Sequence, residues 1–144
     1  MMRGMMCLLA LGIALCLTGC SKETATEPEN NQTFDGTWVL SSSTIIGEPR
    51  EDRLIAAPSA LEFVFQGDTL NCMGTPCTYR VDPTVEPMTI DILPVGGGAA
   101  FMGIARWQNG KLQLCISAKG QPRPNAFDKV ESPITKDLLL LSRK

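Results

Sequence analysis

The sequence predicts an all-β fold, and three observations carry that expectation. Apolar and polar residues alternate in short runs: Leu61, Phe63 and Phe65 flank Glu62, and Met88, Ile90 and Ile92 flank Thr89 and Asp91. A period of two marks strands with one face buried. Turn residues punctuate these runs at close spacing, which favours a sandwich or a barrel. Beyond the N-terminal apolar run, no stretch has the length and caps of a core helix.

The chain opens on an export pattern. Arg3 supplies a positive start, Cys7 to Leu17 a short apolar stretch, and Leu17-Thr18-Gly19-Cys20 a run of small residues closing on a cysteine. A spanning helix needs about 20 apolar residues, so this stretch reads as a cleaved signal and not as a membrane anchor. The closing tetrapeptide resembles the bacterial lipobox. That resemblance implies removal of residues 1–19, acylation of Cys20 (palmitate among the acyl groups) and attachment to the cell envelope. Ser21 follows in place of the aspartate that signals retention at the inner membrane, so delivery to the outer membrane, facing the periplasm, is expected. Two or three acyl chains, at about 0.8 kcal/mol per buried CH₂, would hold the protein without any basic patch.

Residues 20–33 read as the lipidated cysteine and a flexible tether. The stretch is rich in Thr, Glu, Asn and Lys and has little to bury. From Phe34 to Lys144 the strands follow one another. The first is expected at Thr37–Ser43 and the next at Leu61–Gln66. Gly67-Asp68 turns the chain into Thr69–Cys72, and Met73-Gly74-Thr75-Pro76 turns it again into Cys77–Asp82. The alternating strand around Met88–Ile92 comes next. Gly96-Gly97-Gly98 then leads to Ala100–Gln108, Asn109-Gly110 is a type I′ hairpin signal, and Lys111–Ser117 returns. Leu138–Arg143 closes a set of about eight strands. Glu51–Ala57 and Asn125–Val130 could make no more than a helical turn or two.

Composition excludes several functions. The formal charge of the whole chain is −2, and loss of Arg3 makes it one unit more negative, so there is no electrostatic footprint for nucleic acid. Histidine is absent. With it go the commonest general base and a usual metal ligand. Ser41-Ser42-Ser43 therefore has no base to activate a hydroxyl. Gly96-Gly97-Gly98 has no following Gly-Lys-Ser/Thr and suits a rim loop better than a phosphate cradle. Asp82, Glu86 and Asp91 could supply a carboxylate pair, but strand ends and outward faces are where solvated charge is normal. No cofactor or metal is expected. Three cysteines lack histidine company for zinc.

Those three are Cys72, Cys77 and Cys115, once Cys7 and Cys16 leave with the signal and Cys20 carries lipid. Cys72 and Cys77 bracket a turn-like insert, and a Cys72–Cys77 disulfide is expected across that hairpin. Cys115 is expected to be free and buried, with nothing basic beside it to hold a thiolate.

Gly36-Thr37-Trp38 at the first strand resembles the Gly-x-Trp signature of lipocalins. With Pro87-Met88-Thr89-Ile90-Asp91 and Gly120-Gln121-Pro122-Arg123-Pro124-Asn125-Ala126-Phe127, nearly all of the mature chain is similar to a planctomycete paralogous family of lipocalin-like domains. Gln121 departs from that pattern, where lysine is usual, and so does the Cys72/Cys77 pair. The resemblance implies a small antiparallel barrel, with a β-sandwich as the alternative. It implies structural roles for Gly36, Trp38, Arg123, Pro124, Phe127 and Arg143, with Trp38 plugging the closed end and Arg143 stacking on it. The alternative is that Trp38 is one more core aromatic and Arg143 a solvated charge. Arg123, stiffened by its flanking prolines, either fixes the loop to the barrel or presents an anion contact; the first use is the commoner for rigid proline turns.

The functional expectation is a monomeric, lipid-anchored, non-enzymatic envelope protein whose barrel end accepts a small apolar ligand. The alternative is an envelope structural or protein-interaction module whose short barrel is filled by its own side chains.

Overall fold

The computed structural model describes residues 32–48, 50–54 and 62–144. Cys20, the signal and the tether as far as residue 31 lie outside the described residues, as does Leu61. Gln32 and Thr33, assigned above to the tether, belong to the compact unit Gln32–Lys144.

Eight antiparallel strands close into a barrel in chain order: β1 (Gly36–Ile46), β2 (Glu62–Gln66), β3 (Thr69–Cys72), β4 (Thr75–Asp82), β5 (Met88–Pro94), β6 (Phe101–Gln108), β7 (Lys111–Ser117) and β8 (Lys136–Arg143). The barrel expectation holds over the sandwich. Closure comes from β8 returning to β1, from Trp38 opposite Arg143 to Ile46 opposite Lys136. Closing the sheet leaves no edge strand at the ends of the order, where unpaired backbone would invite another chain. No helix occurs among the described residues; Asn125–Val130 is irregular, and Glu51–Leu54 forms only turns and bends.

The alternation read from sequence is the inward face. Trp38, Phe63, Phe65, Leu70, Ile90, Ile92, Leu112, Leu114, Ile116, Leu139 and Leu141 join one continuous buried cluster, each at 1 % exposure or less. Their polar neighbours on the same strands face out, as a pleated strand requires. A second, smaller cluster lies on the outer face, where Ile104 and Cys115 meet Phe127 beneath the 120–134 segment, with Leu138 at its margin. That segment shields a face which the alternation rule alone would leave wet.

Turn chemistry sets the registers. Asn109 and Gly110 both have positive φ, 51° and 73°, the type I′ pair expected between β6 and β7. Met73 and Gly74, at 50° and 87°, do the same between β3 and β4, and this corrects the cysteine expectation. The turn has two central residues and not four, so β4 begins at Thr75 and Cys72 pairs with Thr75 while Cys77 pairs with Leu70. Cys72 and Cys77 are then diagonal neighbours, a relation with Cα atoms about 7–8 Å apart, outside the usual span of a disulfide. Both are free, buried thiols, as is Cys115.

Two strands run longer than their sequence pattern. β1 passes a bulge between Leu40 and Ser42 and continues to Ile46. β8 begins at Lys136, whose side chain is fully buried together with that of Asp137.

Candidate functional site

An up-and-down barrel places its connections alternately at two ends. One end carries the chain entering β1, the turn at Gly67-Asp68, the β4–β5 loop and the Asn109-Gly110 turn. Gly36, Trp38 and Arg143 build the wall there. Gly36 sits at φ +129°, and a Cβ in its place would lie 3.3 Å from Arg143 Nη1, so glycine admits the guanidinium as well as the backbone angle. The Arg143 guanidinium carbon stands 4.7 Å from the Trp38 ring centroid, and Nη2 donates to the Thr33 carbonyl at 2.9 Å. The Trp38–Arg143 stack is thus present, and the same arginine ties down the entering chain. Trp38 is itself buried at 1 % exposure, and its Nε1–H donates to the Phe34 carbonyl at 2.7 Å.

That hydrogen bond seats Phe34 across the barrel end. Its ring lies 5.7 Å from Phe65, 6.1 Å from Tyr79 and 5.4 Å from Trp107. Phe65 and Tyr79 meet edge to face at 4.9 Å, and Trp38 reaches Trp107 at 5.8 Å. Such aromatic pairs each add roughly 0.5–1.5 kcal/mol beyond area burial. Phe34 is therefore the plug and Trp38 the residue that positions it.

Outside this plug lies a cleft of about 880 Å³ whose floor includes Phe34, Tyr79, Val81, Met88 and Trp107. Gln32, Thr33, Asp35, Gly67, Asp68, Pro83, Glu86 and Arg106 complete its walls. Burial, then the charges of Asp35 and Asp68, push the Tyr79 phenol above its ordinary range. A recess of about 310 Å³ lies beyond Arg106 and shares Glu86 with the cleft.

Arg123 fixes its loop to the barrel. Nη1 donates to the carbonyls of Ile90 (3.2 Å) and Gly103 (2.7 Å), and Nη2 pairs with Asp91 at 2.8 Å. Phe127, nearby in sequence, lies under the Arg106 guanidinium at 4.1 Å, and Pro124 is buried. These motif residues clamp the 120–134 segment onto the outer face. The carboxylates considered above are not brought together: Asp91 belongs to Arg123, Asp82 accepts from the Thr84 amide and hydroxyl, and Glu86 lines the cleft. Ser41 shares a hydrogen bond with Ser142 at 2.6 Å, and Gly96-Gly97-Gly98 is an exposed loop at the opposite end. Among the described residues no group of three or more His, Cys, Asp or Glu could hold a metal ion.

The thiols are set up to be inert. Burial, with Cys77 adjacent, pushes Cys72 up to about 12. Burial likewise dominates at Cys115, also pushed up to about 12, although Lys136 pulls the other way. Burial raises Cys77 as well. Native protein at about pH 8, where a free thiol is partly ionised, is expected to resist iodoacetamide at all three positions and to take up label on unfolding. Non-reducing peptide mapping should find no Cys72–Cys77 link; a linked peptide would show that the β3–β4 register is misplaced.

Sequence reasoning did not identify the cleft. Phe34, Tyr79 and Trp107 come from three distant segments, and only their scarcity was visible: the chain has one Tyr and two Trp. In comparisons with known proteins, no family model, no curated protein and no solved structure matches this chain.

Proposed function

We propose that this chain is a lipid-anchored, non-enzymatic envelope lipoprotein in which the barrel is a filled scaffold and the barrel-end cleft is the recognition site for a small molecule with an apolar body. One observation carries the choice of site. Phe63, Ile90, Ile92, Leu112, Leu114, Ile116, Leu139 and Leu141 are all 0 % exposed. A void wide enough for water would leave its lining accessible, so no such void touches these side chains. An interior calyx has no room, whereas the cleft falls within the roughly 300–1,000 Å³ usual for small-molecule sites. The absence of histidine from the chain, and of any nucleophile–base pair among the described residues, supports binding over chemistry. Gly36-Thr37-Trp38 and the Arg123–Phe127 segment support membership of the lipocalin-like family named above, and Cys20 supports anchorage in the outer membrane.

Two-dimensional amide NMR of the full chain in dodecyl maltoside, titrated with benzyl alcohol, tests the site. Saturable shifts should appear at residues 32–35, 79–81 and 106–107. Shifts centred on residues 112–116 and 139–141 would place the ligand inside the barrel instead. No saturable shift would leave the structural or protein-interaction reading. Separately, Cys20→Ser should leave an uncut precursor, and normal processing of that variant would remove the lipid anchor from the account.

A further inference from the structure

The charges around the barrel-end cleft do not balance. Asp35, Asp68 and Glu86 line it against a single cation, Arg106. Arg106 is committed elsewhere: Nε donates to Gln113 Oε1 at 2.6 Å and the guanidinium stacks on Phe127. Asp35 Oδ1 accepts from the Gly67 amide at 2.9 Å. The side chains of Asp68 and Glu86 make no hydrogen bond or ion pair among the described residues. Beneath these carboxylates lie the rings of Phe34, Tyr79 and Trp107.

Tyr79 is the second, independent pointer. Its ring is buried, the residue being only 8 % exposed, while its hydroxyl makes no side-chain hydrogen bond among the described residues and keeps its own access to solvent at the cleft it lines. Tyr79 lines the cleft together with Asp35 and Asp68. A cleft-facing hydroxyl, three aromatic rings and an excess of negative charge therefore line one space.

This reading rests on the cleft being the recognition site and adds the class of ligand. We propose that the cleft binds a small organic cation, an ammonium group on an apolar or aromatic body, with the charge among Asp35, Asp68 and Glu86 and the body against Phe34, Tyr79 and Trp107. The electron-rich ring faces attract a cation, and the carboxylates add Coulombic attraction that salt screens. Tyr79 is then available to hydrogen-bond a polar group on the ligand.

Benzylammonium and benzyl alcohol, alike in size and differing in charge, separate the contributions when titrated into the full chain in dodecyl maltoside with Trp fluorescence and amide NMR as readouts. Benzylammonium should bind at the cleft at least tenfold tighter than benzyl alcohol, and added salt should narrow the gap. Asp68→Asn/Glu86→Gln, at two exposed positions with no partner to lose, should keep the native amide spectrum, weaken benzylammonium at least tenfold and leave benzyl alcohol unchanged. Equal affinities in the wild type, or a variant that still prefers the cation, would overturn the charge assignment while leaving the cleft as a recognition site. Neither probe shifting the cleft amides would overturn both.

Discussion

Trp38→Ala is expected to cost about 3–5 kcal/mol, the range for deleting a buried aromatic. The substitution removes a side chain packed on Trp107 and beneath Arg143, together with the donor that holds the Phe34 carbonyl. Small domains have about 5–15 kcal/mol in total, so the variant should be marginal. Arg143→Ala should cost less, because Arg143 is exposed; an exposed cation–π contact contributes about 0.5–1 kcal/mol. The two losses should fall short of additivity, since the residues share one contact. If Trp38→Ala fails to fold, Trp38→Phe keeps most of the ring volume, loses the hydrogen bond to Phe34 and should disturb the cleft amides more than the interior ones. Denaturant titration of the singles and the double variant measures the energies. Strictly additive losses would contradict the stack.

The second large effect is expected at Lys136. Its ammonium is fully buried, donating to the Ala126 carbonyl at 2.5 Å and pairing with Glu131. Lys136→Ala should cost about 3 kcal/mol, at the low end for breaking a buried pair, because Glu131 retains some solvent contact. Lys136→Met should recover packing without the ion pair. The pH dependence identifies the cause. Burial alone would raise the Glu131 carboxyl, but the Lys136 hydrogen bond, the Asn125 amide and the lysine charge together hold it below its ordinary value. A carboxylate lowered on folding stabilises above its unfolded pKa, near 4.3 for Glu, and that stabilisation is lost as pH falls through the lower folded value. Wild type should therefore lose stability below about pH 4.3, and Lys136→Met should lose less over that window. Asp52 and Asp82, also lowered, owe their shifts chiefly to Arg50 and Thr84 and contribute alike to both profiles. Parallel acid profiles would contradict the pairing.

The strands were legible because one face of each meets the core. Phe63-Val64-Phe65 and Ile90-Asp91-Ile92 declare their inward residues without further help. Asn109-Gly110 was legible because both residues tolerate positive φ. Met73 was not, since a methionine at φ 50° is uncommon. The β3–β4 turn therefore looked longer than it is, and Cys72 looked opposed to Cys77. Pro76 added to the misreading, because a proline suggests the strand has not yet begun, yet it pairs with Asn71 inside β4. Lys136 and Asp137 resemble loop residues until their partners, Glu131 and Arg53, fold over them. The contact between Trp38 and Arg143 was expected from the sequence and is present, but the plug expected at Trp38 is Phe34, whose place in the entering chain carried no signal. The cleft was invisible in sequence because its floor is assembled by barrel closure from residues that share no local pattern.

The account turns on whether the interior of the barrel is full. Xenon enters dry apolar voids readily, so methyl-resolved NMR of the full chain under xenon pressure reports interior space. The filled barrel predicts that the methyls of Ile90, Ile92, Leu112, Leu114, Ile116, Leu139 and Leu141 stay unshifted, with any response confined to Val81 and Met88 at the cleft. Saturable xenon shifts across the interior leucines and isoleucines would reveal a calyx and return the ligand to the inside of the barrel.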